Sequence, residues 1–171
     1  MLASFISFSQ SEKFPSPDYV NEVAYCDTVH KTLSSLESKK FKPNYKTGTF
    51  GFNQRLLLTV DGPASPVRFK HDQPLVFVLK VEAMFKDRDP AEHLAFTRLD
   101  VKKKNRSLTF SQGKPFTKTK INSMETEGWK FKKIADDVVE ITFDKIPENG
   151  EYCFYTIRAG FPYAYFAFGI D

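Results

Sequence analysis

The sequence predicts an all-β fold, an antiparallel sandwich, and three observations predict it. Hydrophobic residues fill 41% of the 171 positions and aromatics 15%, with 18 Phe gathered in short runs. Rings and β-branched side chains suit a pleated, half-buried surface. Ten Pro and eight Gly punctuate the chain often, as short strands joined by turns require. The third observation is the closing stretch, residues 146–171, IPENGEYCFYTIRAGFPYAYFAFGID. Pro147, Asn149 and Gly150 supply one turn; Gly160 and Pro162 supply a second. Between them Tyr152, Phe154 and Thr156 alternate with Cys153, Tyr155 and Ile157, so bulky side chains point to both sides of a sheet. This hairpin is expected at the centre of the fold, with the C-terminus held inside it.

In chain order, residues 1–10, MLASFISFSQ, are apolar with Ser and carry no charge. They are too short to span a bilayer. They read as the end of a secretory signal without its basic start, followed by a polar opening at residues 11–13. Residues 14–21 read as an extended linker, since Pro15 and Pro17 oppose a helix. Residues 22–49 are expected to form an N-terminal hairpin extension. Val23 and Tyr25 alternate, 27–30 turn the chain and 32–37 return. An amphipathic helix through Val20, Val23, Ala24, Leu33 and Leu36 is the competing reading, which β-branched Thr28, Val29 and Thr32 disfavour.

From residue 50 the pattern is strongly β, with Leu56, Leu58 and Val60 on one face, until Gly62, Pro63 and Pro66 break it. Residues 67–69 form a short extended piece. Residues 75–85, LVFVLKVEAMF, predict the clearest core strand: Leu75, Phe77, Leu79 and Val81 face one way, Val76 and Val78 the other. After a charged turn at 87–90, the run 93–104 alternates through Leu94 and Phe96, then Leu99 and Val101. That shift predicts a bulge near Arg98. Residues 106–111 return as its mate. Residues 111–128 read as a long loop with one short strand near 120–121. Residues 129–134 and 138–143 form a hairpin across Asp136 and Asp137. The tally is about nine or ten short strands with turns every ~8–12 residues, as in an immunoglobulin-like sandwich. The single domain is expected over 22–171, preceded by the signal-like remnant and linker of 1–21.

Several segments, in order, resemble one family. These are residues 22–25 (EVAY), 33–37 (LSSLE), 65–69 (SPVRF), Asp89 and Pro90, 98–100 (RLD) with Arg106, 150–152 (GEY) and 168–171 (FGID). Together they are similar to uncharacterised, mostly exported bacterial proteins that end in a PGEY…FGVD β-sandwich. Here Glu148 and Asn149 separate Pro147 from Gly150, which lengthens a turn. The resemblance implies the sandwich and export to the periplasm or cell surface. It implies no activity and no catalytic residues.

The residues exclude several classes of chemistry. Net charge is +4 and basic residues are dispersed. The densest cluster, Lys102, Lys103, Lys104 and Arg106, reads as a hairpin tip, so no nucleic-acid partner is expected. GxSxG, HExxH and P-loop patterns are absent from the sequence. His30, His71 and His93 fall in separate turns, and His93 beside Asp89 and Glu92 reads as a charged turn rather than a metal site. No metal, cofactor or catalytic residue is expected. An enzyme using 111–128 as a lid has little support. Cys26 and Cys153 are expected either as a disulfide in an exported chain or as two buried thiols.

Two residue sets remain. Asp171 is expected to pair with Arg98 or Arg68 and fix the register of the last strand. Trp129, Phe161, Tyr163 and Tyr165 are the candidates for stacking on a glycan or filling a partner's pocket. The function expected is a non-enzymatic binding or structural module of the bacterial envelope, with an unknown protein or glycan partner. A carbohydrate-binding module is the alternative.

Overall fold

The structure, a computed structural model, describes residues 15–46, 54–113, 120–121, 128–158 and 161–171. The strands in chain order are β1 (Val23–Asp27), β2 (Thr32–Ser35), β3 (Glu37–Lys40), β4 (Lys42–Lys46), β5 (Gln54–Asp61), β6 (Arg68–Phe69) and β7 (Val76–Lys80). Two 3-10 turns follow, Ala83–Phe85 and Pro90–Glu92. Then come β8 (Leu94–Arg98), β9 (Asp100–Val101), β10 (Asn105–Gly113), β11 (Lys120–Ile121), β12 (Trp129–Ala135), β13 (Val138–Phe143), β14 (Gly150–Arg158) and β15 (Phe161–Ile170).

The strands form three sheets. The first runs β12-β13-β7-β1-β2, the second β3-β15-β14-β8, and the third β11-β10-β5-β4. β6 joins β15 in the second sheet and β9 joins β10 in the third. Among the described residues all pairings are antiparallel except β6 with β15.

The aromatic C-terminal hairpin explains why the second sheet lies in the middle. Tyr152, Phe154, Phe166 and Phe168 pack with Phe77, Leu79 and Ile141 of the first sheet. Cys153, Tyr155, Tyr165 and Ala167 pack with Leu56, Leu58, Val60 and Leu108 of the third. A strand with large side chains in both phases needs cover on both faces. Phe77, fully buried, sits 5.0 to 6.2 Å from the rings of Tyr25, Phe69, Phe143, Phe154 and Phe168. Burying such a ring stabilises the fold by ~1.5–3 kcal/mol.

The all-β sandwich follows the expectation, with one more layer than two sheets. The expected N-terminal hairpin forms, β1 with β2, but the described part of 22–49, residues 22–46, is not an extension. β1 pairs with β7, β3 with β15 and β4 with β5, so it supplies all three sheets. Single buried residues mark the crossings: Leu36, between β2 and β3, joins the first core, and Phe41, between β3 and β4, joins the second. Leu99 does the same between β8 and β9. The phase shift near Arg98 is therefore a change of sheet instead of a bulge. A true extra residue lies in β15: Tyr155 faces Tyr165, but Ile157 faces Pro162. The strand expected over 75–85 ends at Lys80, and 83–85 form a 3-10 turn that leaves Met84 exposed.

Candidate functional site

Two polar groupings stand out. One lies between the second and third sheets. β6, β15 and β14 are neighbours, and Gly169 faces Arg68 on one side and Glu151 on the other. Because Gly169 has no side chain, Arg68 crosses over it and reaches the Glu151 carboxylate with Nη1. A Cβ on Gly169 would overlap that guanidinium. Arg68 also holds Asp171 through Nε and Nη2. This contact, first among its causes, draws the Asp171 carboxyl below its ordinary range.

From the third sheet comes Arg106, the largest fully buried side chain among the described residues. Its Nη1 donates to Glu151 Oε2 at 3.2 Å, and its Nη2 to both Glu37 oxygens at 2.9 and 2.8 Å. Its Nε donates to the Gly62 carbonyl at 3.1 Å. Ser65 N adds a bond to Glu151 Oε2 at 2.8 Å. The result is an alternating row, Asp171–Arg68–Glu151–Arg106–Glu37. Desolvating these charges is costly, and only mutual pairing offsets it. The row is engaged internally, so it acts as a lock between two sheets.

Asp171 therefore meets Arg68 and not Arg98. Arg98 lies over Gly150 and the Tyr152 ring, 5.9 Å from its centroid, and donates to the Asn149 carbonyl at 2.8 Å.

The second grouping is open to solvent. A cleft of about 360 Å³ lies between the edges of the first and second sheets. Tyr19, Asn21 and Glu22 precede β1 on one wall, and Glu82 and Phe85 follow β7. Thr156 and Ile157 come from the end of β14, Tyr163 and Phe166 from β15, and Ser38 from β3. The irregularity of β15 falls here, and bulges re-aim side chains at such rims. Asn21, in the left-handed region at φ 61°, bonds Glu82 Oε1 through Nδ2. His93 closes one side, its ring 4.4 Å from that of Phe85, and its carbonyl takes the Ile157 N–H at 2.7 Å. His93 Nε2 is buried without a hydrogen-bond partner among the described residues. Desolvation pulls its imidazole below the ordinary value.

No protein-family model, curated protein or solved structure matches the chain.

Of the described aromatic candidates, Tyr163 lines the cleft and Trp129 and Tyr165 do not. Trp129 is core, with ring centroids 4.6 Å from Phe131 and 5.9 Å from Phe154. Tyr165 is core too; burial pushes its phenol up to about 12. Neither can stack on a ligand: Tyr165 is buried on one face of the two-sided hairpin, and Trp129 of β12 is buried against Phe96 and Phe154 on the other. The Phe161 side chain lies outside the described residues. The cysteines are free: Cys26 packs with Val78 and Val138, Cys153 between the second and third sheets. A bridge between them is ruled out by these separate cores, and desolvation raises both thiols. Among the described residues, no group of three or more His, Cys, Asp or Glu could hold a metal, and no helix is long and apolar enough to cross a membrane.

The sequence reading passed over Glu37, Arg106 and Glu151 as site residues, yet a signal existed. Arg106 shares the inward phase of Leu108, and Glu151 that of Cys153 and Tyr155. A charge in core phase implies a buried partner. The cleft residues had no such signal, since they come from six separate segments.

Proposed function

We propose that this chain is a non-enzymatic binding or structural module of a bacterial envelope, with the cleft around His93 as its ligand site. The cleft itself carries the reading. It combines an apolar floor, Ile157 and Phe166, with convergent polar groups, Glu22, Glu82, Thr156 and His93. Small-molecule sites have this make-up, at volumes of about 300–1,000 Å³. The buried charge row supports the module reading, since it uses its polar groups on one another. The envelope part draws on the leader-like residues 1–10 and on the resemblance to exported bacterial proteins.

Amide-resolved NMR of the labelled chain with a library of small-molecule fragments tests the site. Shifts should gather at Asn21, Glu82, His93 and Ala164; scattered shifts would refute it. Fractionation and N-terminal sequencing of the native protein test the envelope. A processed chain outside the cytoplasm is expected, and a cytoplasmic chain retaining Met1 would remove that part.

A further inference from the structure

Resting on the reading that this cleft binds a ligand, we infer that the ligand is a neutral sugar, held through its hydroxyl groups and one apolar ring face. Among the described residues, the side chains lining the cleft include two carboxylates, Glu22 and Glu82, the hydroxyls of Ser38 and Thr156, and the His93 imidazole. None is Lys or Arg, and the cations beside it, Lys40 and Arg88, lie over the Tyr163 and Phe85 rings. A phosphate, sulfate or carboxylate ligand needs cationic donors. It would meet two carboxylates in a protein whose overall charge is +4. Hydroxyl groups suit the same lining well. They donate to carboxylates in charge-assisted bonds and exchange neutral ones with Ser, Thr and His.

The rings favour a sugar over an organic ammonium. Lys40 Nζ already sits over the Tyr163 ring, 5.1 Å from its centroid, and the Arg88 guanidinium over Phe85 at 5.7 Å. Cations from the chain itself serve these faces. Tyr19 is 75% exposed at the cleft, and its ring offers an apolar plane with a polar tip. The C–H face of a pyranose matches that plane. A site that hydrogen-bonds hydroxyls also rejects analogues lacking them.

The test is amide-resolved NMR titration of the full chain with methyl glycosides of glucose, galactose and mannose. A sugar phosphate and benzyltrimethylammonium are the comparison probes. At least one neutral glycoside should shift the amides of Asn21, Glu82, His93 and Ala164, while the sugar phosphate leaves them in place. Glu82→Gln and Tyr19→Ala should each weaken that binding about tenfold or more, with unfolding midpoints unchanged. If no neutral glycoside shifts these amides, or if binding persists undiminished in both variants, the sugar assignment is wrong. Shifts with the ammonium probe alone would overturn the sugar and leave the cleft as a binding site. If no probe reaches the cleft amides, both readings fall.

Discussion

The charge row and the cleft each bring carboxylates together from distant parts of the chain, yet they do opposite things. In the row, each charge is set by strand register. Arg68, Gly169 and Glu151 lie side by side across three strands, and Arg106 descends from the opposite sheet. In the cleft, the groups come from loops, strand ends and a 3-10 turn. The row is closed and mostly buried, while the cleft opens to solvent. Polar residues fixed by register spend their hydrogen bonds on the fold. Polar residues on element ends, such as the bonded pair Asn21 and Glu82, stand instead at an opening to solvent.

The sharpest way to break this contrast is to remove the centre of the row. Arg106→Met leaves Glu37 and Glu151 without their buried partner. Stability should fall by ~3–5 kcal/mol, the range for breaking a buried ion pair, as read by urea unfolding. A change below ~1 kcal/mol, the range of surface pairs, would mean the row is incidental.

Gly169→Ala comes next. The added methyl cannot share space with Arg68, so Arg68 must leave Glu151 and Asp171. A loss of ~1–3 kcal/mol is expected, typical of breaking a polar network. Combined with Arg68→Ala, the loss should be less than the sum, since both act on one contact. Full additivity would show that Gly169 serves another purpose.

Smaller effects come from titration. Desolvation lowers His93, whereas a side-chain bond to Asp27 raises His30. The unfolded chain titrates both near pH ~6.5. His93 therefore contributes stability that is fully present above that pH and lost as pH falls toward its lowered value. His30 contributes stability present below it, lost as pH rises through its raised value. NMR titration of the two imidazoles should place them on opposite sides of 6.5. Finding His93 above would contradict its desolvation beside the cleft. The smallest change expected is in the cysteines. Both are buried and free, so a thiol reagent should label neither in the native state and both after unfolding. Loss of labelling in the unfolded, unreduced chain would reveal a bridge.

How much of this was legible in the sequence depends on phase. Leu56, Leu58, Val60 and the alternation through Leu75, Phe77, Leu79 and Val81 announced their buried faces, because a strand repeats every two residues. Two-sided burial of residues 152–157 was legible for the same reason. The third sheet was not. Sheet changes rest on single residues, Leu36, Phe41 and Leu99, which look like ordinary strand positions. The Arg68–Asp171 contact was readable as a charge pair near the last strand, but its extension to Arg106 and Glu37 needed the sheets to be stacked. The aromatic set misled for Trp129 and Tyr165, because a ring's exposure depends on which sheet covers it.

The most direct measurement sets Glu151→Gln beside Glu82→Gln in the same urea unfolding experiment. Each removes one negative charge with almost no change in shape. Glu151 sits between two guanidinium groups, whereas Glu82 lines the open cleft. The account predicts a loss of ~3 kcal/mol or more for Glu151→Gln and a change within ~0.5 kcal/mol for Glu82→Gln. Equal losses would contradict it, since the carboxylate at the cleft would then hold the fold together as strongly as the one in the row.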